Sequence, residues 1–238
     1  MKKNNLFLLL FLFLLLSFNI LASSQLEQGI EEYNKSNYTL AIDYLTDVLL
    51  EEGNNFTAQY YLGLSYIKLG EYELAQNALE IARDLSPQHY KVHLNLGRAY
   101  YNLRDYQKAL EALERAEEIE NGDAQIYNIM GLVHIDLKNH EKAIENFKKA
   151  IDLNPGNYYV LNNLGYLYIL NNQYAEARGV LEKAVNLNPP VAYIYNNLAI
   201  SYENLGDYEK ASQYYLKALE VDPGYEKAKI NLQRIKNK

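Results

Sequence analysis

The sequence predicts an all-α protein made of stacked helix hairpins, and three observations carry that prediction. Gly29, Gly63, Gly97, Gly131, Gly165 and Ala199 recur at a spacing of 34 residues. Twelve residues after each stands an alanine: Ala41, Ala75, Ala109, Ala143, Ala177 and Ala211. Seven further on come Val48, Ala82, Ala116, Ala150, Ala184 and Ala218. A fixed period of this length is the signature of a repeat array, in which one unit cannot bury its apolar face alone and its neighbours complete the core.

Numbering each unit so that the glycine falls at position 8 gives six repeats: Ala22–Asn55, Phe56–His89, Tyr90–Asp123, Ala124–Asn157, Tyr158–Val191 and Ala192–Tyr225. The fifth serves as the template. Leu161, Leu164 and Tyr168, at positions 4, 7 and 11, have helical spacing. Asn171 and Asn172 interrupt the run, and a second helix reads from about Tyr174 to Asn186. Asn188-Pro189 stops it, because proline lacks an amide proton and restricts the residue before it. Small residues at positions 8 and 20 let the two helices of a unit approach closely, and the residue at 27 meets the next unit.

In chain order, Met1 to Ser24 stands apart. Lys2 and Lys3 precede an apolar run, and Ala22-Ser23-Ser24 supplies small residues before Gln25. This segment (residues 1–24) reads as a secretory signal peptide cleaved before Gln25, which makes the protein exported, periplasmic or secreted. The alternative is an uncleaved anchor, although Leu6 to Leu21 falls short of the roughly 20 residues a span needs. After cleavage no membrane span is expected. The chain has no cysteine, so a lipidated cysteine, a disulfide and a thiolate metal site are all excluded.

Repeat one carries Gln25, Gln28 and Glu32 where positions 4, 7 and 11 should be apolar; its apolar residues are Leu26, Ile30 and Tyr33. Terminal repeats often have such a polar face. In repeat three, Asn121-Gly122 makes the turn that proline makes elsewhere. Glu226 to Lys238 reads as a capping helix that covers repeat six with Ala228, Leu232 and Ile235, and Lys227, Lys229, Arg234, Lys236 and Lys238 are expected to face water.

The pattern resembles the tetratricopeptide repeat (TPR) family. Repeat six reads Tyr195, Leu198, Ala199, Tyr202, Ala211, Tyr215, Ala218, Pro223 at the family's positions, and repeat two reads Leu62, Gly63, Tyr66, Ala75, Leu79, Ala82, Pro87. The resemblance covers nearly everything after residue 25. It implies a right-handed α-solenoid of six helix-turn-helix units plus the capping helix.

Positions 2, 5, 9, 12 and 13 of each first helix lie opposite its core stripe at ~100° per residue. The resemblance implies that they line a concave groove. There the chain carries aromatic, aliphatic and amide side chains in place of the charges expected on a merely solvated face. Arg98, Tyr101, Asn128, Leu132, Tyr159, Asn162, Tyr166, Tyr193 and Asn196 are the groove candidates, with Asn163 and Asn197 beside them at position 6. A row of asparagines, each both donor and acceptor, suits the main chain of an extended peptide. The same amides can equally cap turns or bond between neighbouring helices. On the peptide reading, replacing Asn162 and Asn196 by alanine weakens capture and leaves the melting temperature nearly unchanged.

Lys68, Lys91 and Arg98 form a small basic cluster, open to reading as a carboxylate contact or as ordinary groove polarity. The family's dicarboxylate clamp is not met, since Tyr60 and Leu64 stand where it needs lysine and asparagine. His93, His134 and His140 occupy slots that tyrosine holds in other repeats and read as core, so no metal site is called. No catalytic set, phosphate loop or cofactor motif is present. The formal charge of −7 disfavours nucleic acid, whose phosphates need clustered cations. The sequence therefore predicts a non-catalytic adaptor that binds a protein or peptide partner in its groove, with a role in the cell envelope. A homodimeric, self-associating envelope protein is the alternative.

Overall fold

The computed structural model describes residues 25–236. The signal-peptide reading, and with it any anchor, falls on residues 1–24 and lies outside the described residues. Thirteen helices and no strand are present among those described. The first, α1, covers 25–34. There follow α2 (Tyr38–Glu52), α3 (Phe56–Leu69), α4 (Tyr72–Leu85), α5 (Tyr90–Asn102), α6 (Tyr106–Ile119), α7 (Ala124–Asp136), α8 (His140–Leu153), α9 (Tyr158–Leu170), α10 (Tyr174–Val185), α11 (Ala192–Asn204), α12 (Tyr208–Val221) and α13 (Glu226–Lys236). Among the described residues no helix is long and apolar enough to cross a membrane.

The chain forms two compact units, one ending at Asn121 and the other beginning at Gly122. In each, a first helix packs antiparallel to its own second helix, and that second helix packs against the next first helix. Consecutive first helices also touch: α3 with α5 in the first unit, and α7, α9, α11 and α13 in sequence in the second.

Close approach within a hairpin depends on position 8. A Cβ built on Gly63, Gly97 or Gly165 would stand 2.5 Å from Cγ of Leu79, Leu113 or Leu181, the position-24 residue of the same hairpin. Those leucines, with Phe147 and Tyr215 at the same position, are fully buried. The residues at 20 and 27 are also fully buried, from Ala41 and Val48 to Ala211 and Ala218. His93 and His134 are buried in the core, the former with Nε2 2.8 Å from the Pro87 carbonyl.

The turn inside each hairpin needs a left-handed residue, which caps the first helix and reverses the chain. Gly70 (φ 82°) and Gly206 (φ 85°) supply it without strain, whereas Ser36, Arg104, Lys138 and Asn172 adopt φ of 58–66° at the same position. Second helices then begin on side-chain caps: Asp105, Asn139 and Asp207 accept from the amides of Lys108, Lys142 and Lys210.

The first helix docks in the regular manner despite its polar positions. Gly29 faces Leu45 of α2, and the Tyr33 ring meets Tyr61 of α3 edge-on at 5.3 Å. Gln28 points to solvent. The capping helix departs from the expectation in one respect. Ala228, Leu232 and Ile235 are buried as foreseen, and Arg234 is exposed as expected but also makes a contact that was not expected. It reaches back to the buried Glu203 of α11, with Nη2 at 2.7 Å and Nε at 3.1 Å from the carboxylate oxygens. The Tyr215 hydroxyl donates to the same carboxylate at 2.8 Å. A carboxylate this deep needs a charged partner, and the guanidinium of the last helix supplies one.

Candidate binding face

Nine of the eleven groove candidates belong to the second unit; Arg98 and Tyr101 belong to the first. In the second unit, α7, α9, α11 and α13 lie side by side, and position 5 of α7, α9 and α11 is bonded to the next first helix. This changes the role of the asparagines. Asn163 donates its amide to Oδ1 of Asn128 at 3.2 Å, Asn197 to Asn162 at 2.9 Å, and Asn231 to Asn196 at 3.1 Å. The row is a ladder of inter-helix bonds, each between position 5 of one hairpin and position 6 of the next. Asn162 is 7% and Asn196 2% exposed, so these two side chains offer a guest little surface. The expectation that they can be replaced without loss of stability is corrected accordingly: a buried amide removed from such a pair leaves its partner unsatisfied.

What remains open on this face is aromatic and aliphatic. On α9, Tyr159, Tyr166 and Leu170 are 49%, 46% and 46% exposed. Leu132 of α7 and Tyr193 and Ile200 of α11 are half-buried on either side. The Tyr158 and Tyr159 rings lie 4.5 Å apart. Burial raises the Tyr193 hydroxyl above its ordinary pKa, and the neighbouring Tyr159 and Tyr225 push it the same way. The Tyr158 hydroxyl is raised chiefly by its hydrogen bond to Tyr159. These phenols stay protonated and neutral, so the face presents rings and hydroxyls with little formal charge.

In the first unit the ladder is absent, because Tyr60 and Leu94 occupy position 5. Asn95, left without an amide opposite, turns back to the Lys91 carbonyl at 2.7 Å and accepts from Arg98 at 3.3 Å. Arg98 and Tyr101 are half-buried there. Leu94, expected in the groove, is only 3% exposed.

Two further ties were not foreseen. The Tyr100 hydroxyl donates to Glu80 at 2.5 Å, and the Tyr202 hydroxyl donates to Glu182. Both join position 11 of a first helix to position 25 of the preceding second helix; the shared spacing of twenty residues was the available signal. Among the described residues no three His, Asp or Glu side chains are placed to hold a metal ion.

The same architecture recurs in solved proteins. A chain of the APC/C hetero-tetramer Cut9-Hcn1 superposes with a TM-score of 0.77 at 22% identity, over 90% of this chain. The match spans only 42% of that longer chain. PilF of Pseudomonas aeruginosa gives a TM-score of 0.77 at 19% identity, over 92% of this chain and 99% of its own. YrrB, described as a TPR protein with an unusual peptide-binding site, gives 0.62 at 18%, over 79% and 97%. At these identities the likeness is one of fold. No curated protein matches the sequence. TPR hairpins serve in general as protein–protein interaction scaffolds. Residues 18–231 match the family described as the cilia and flagella-associated protein 70 C-terminal domain, so the chain, with its repeated hairpins and buried small residues, belongs to that tetratricopeptide-repeat family.

Proposed function

We propose that the second unit captures an extended or helical segment of a partner protein on the face formed by α7, α9 and α11. The observation that supports this reading best is the exposure of Tyr159, Tyr166 and Leu170 along one side of α9. Large apolar side chains left open together tend to mark contact surfaces, and tyrosine combines ring area with a hydroxyl that can bond to a peptide. Burial of such rings contributes ~25 cal/mol per Å2 before the costs of association. The asparagine ladder sets the spacing of the helices that present them. The partner is bound without chemical change, as in an adaptor.

A double variant, Tyr159→Ser with Tyr166→Ser, tests the face. Both side chains are open, so the melting temperature should hold. Partner proteins retained by the wild type from an extract of the native cells, quantified by mass spectrometry, should be lost. Equal retention would overturn the proposal. Sedimentation over a concentration range addresses the homodimer: self-association abolished by the same variant would assign the face to a second copy.

We also propose that the protein is exported and works in the assembly or maintenance of a cell envelope. The support is the amino-terminal pattern of two lysines, an apolar run and Ala22-Ser23-Ser24. Amino-terminal sequencing of the protein recovered from cells should begin at Gln25; a protein that retains Met1 or Lys2 would count against export by this route.

A further inference from the structure

We propose that the first unit binds a small hydroxylated anion, of the sugar-phosphate or sugar-acid class, in a cavity on the side of its second helices. α4 and α6 both pack on α5 and leave a cavity of about 420 Å³ between them. That is the size of a small-molecule site. Its charged lining is sorted along the cavity. His93 and Tyr100 of α5 mark the two ends, about 10 Å of helix apart. Because α4 and α6 run antiparallel to α5, Arg83 and Arg115 fall at the His93 end. Glu80 and Lys108 fall at the Tyr100 end, and Glu111 stands one turn before Arg115.

At the first end, guanidiniums from two different helices converge on one buried ring. Burial lowers the pKa of His93, and the charges of Arg115 and Arg83 push it the same way, so both are felt there. Each arginine pairs with a carboxylate of its own helix, Arg83 with Asp84 at 2.9 Å and Arg115 with Glu118 at 2.7 Å. Arg115 also donates to Gln88 at 3.0 Å. The Asp84 and Glu118 side chains are 71% and 65% exposed, and ion pairs in that setting are worth little. An anion set between the two guanidiniums gains forked, charge-assisted bonds from both sides. The arginine pair is particular to this place. Glu117 stands at the position of Arg83 one hairpin later, and Val185 stands there before repeat six.

The other end selects the body of the ligand. Glu80 accepts from the Tyr100 hydroxyl at 2.5 Å and from Gln76 at 3.1 Å, and Glu111 accepts from Gln107 at 3.2 Å. Two carboxylates repel a second anionic group. Lys108 repels a cation; its ammonium pairs with Asp105 at 3.4 Å and lies 5.5 Å from the Tyr100 ring centroid. Neutral hydroxyls suit both, since they donate to the carboxylates and accept from the ammonium. The cavity thus fits one anionic group carried on a short polyol or sugar. It uses no residue of the Tyr159–Tyr166 face, so either proposal can fail without the other.

The test titrates the full chain with glucose 6-phosphate, glucuronate, inorganic phosphate and glucose, followed by calorimetry and by the proton NMR signals of the four histidines. At least one of the two sugar anions should bind, more weakly as salt is raised, and should move the His93 signal most. The tighter of the two tells a phosphate head from a carboxylate. Arg83→Gln and Arg115→Gln should each weaken binding about tenfold. The melting temperature should hold, because the ion pairs they break are exposed. Lys148→Gln, on the second unit, should have no effect. Equal binding of inorganic phosphate would mean that the arginines act alone, and equal binding of glucose that the charge is not read. A still His93 signal, or indifference to both arginine variants, would place binding elsewhere. Each of these, or no binding of either sugar anion, overturns the proposal.

Discussion

Asn197 on α11 donates its side-chain amide to Oδ1 of Asn162 on α9, at 2.9 Å across two neighbouring first helices. The bond repeats one hairpin earlier and one later with the same offset of 35 residues, so it is a property of the repeat and not of one site. Asn162→Ala should cost about 1–2 kcal/mol of stability, since it leaves the Asn197 amide unpaired. The double variant with Asn197→Ala should cost less than the two singles together. Urea unfolding of the four proteins closes the cycle, and strict additivity would mean that the pair is not coupled.

Gly165→Ala places a methyl group 2.5 Å from Leu181 Cγ. Overpacking of this kind costs about 1–3 kcal/mol, which outweighs the gain of up to about 1 kcal/mol from helix propensity. A lowered melting temperature is the expected result. The same substitution at Gly179, where a Cβ would meet nothing within 4 Å, should raise it.

Arg104 and Lys138 hold φ of 62° and 58° in turns where Gly70 and Gly206 stand in other hairpins. A left-handed conformation costs an ordinary L-residue about 1–2 kcal/mol. Arg104→Gly and Lys138→Gly should therefore each stabilise the protein by about 1 kcal/mol, read as a shift in denaturant midpoint at constant slope. Asn172→Gly should gain less, because asparagine tolerates this conformation better.

Burial lowers the pKa of His93 below the usual histidine value, and the nearby Arg115 and Arg83 add to the effect against a bond to the Pro87 carbonyl. The folded protein thus binds this proton less readily than the unfolded chain. Stability is full above the unfolded value of about 6.5 and falls as pH drops below it toward the folded value. His93→Tyr, which installs the residue found at this position in repeats four and six, should flatten the decline over that interval in a series of pH-dependent melts.

Arg234 and Glu203 make the capping helix part of the fold. Arg234→Ala removes a guanidinium and leaves a carboxylate that is 7% exposed without its cation. The variant should lose hydrogen-exchange protection throughout α13 and lower the melting temperature. Restoring protection with Glu203→Gln in the same chain would identify the unpaired charge as the cause.

Much of the fold was legible because a repeat states each rule six times. The position of Gly165 against Leu181, the proline stop and the second helix beginning at Tyr174 all follow from local pattern. The asparagine ladder was half legible: the offset of 35 between Asn162 and Asn197 was visible, but whether those amides face a neighbour or a guest depends on how first helices pack, which periodicity does not encode. The same gap hid the burial of Leu94. Arg234 is exposed as expected, but its tie to Glu203 was not legible, because a charged residue near a helix end is satisfied by water or by the dipole unless a buried acid waits opposite, and Glu203 lies 31 residues away. Asn121-Gly122 stood out as a turn without proline, but that pattern did not mark it as the place where the chain divides into two compact units.

Because every amide rung of the second unit joins only adjacent hairpins, injury to one rung has nowhere far to travel. Opening should begin at α13 and proceed rung by rung toward α9, so the unit sheds structure as a frayed rope does, strand after strand, and a partner held near Tyr166 is let go late.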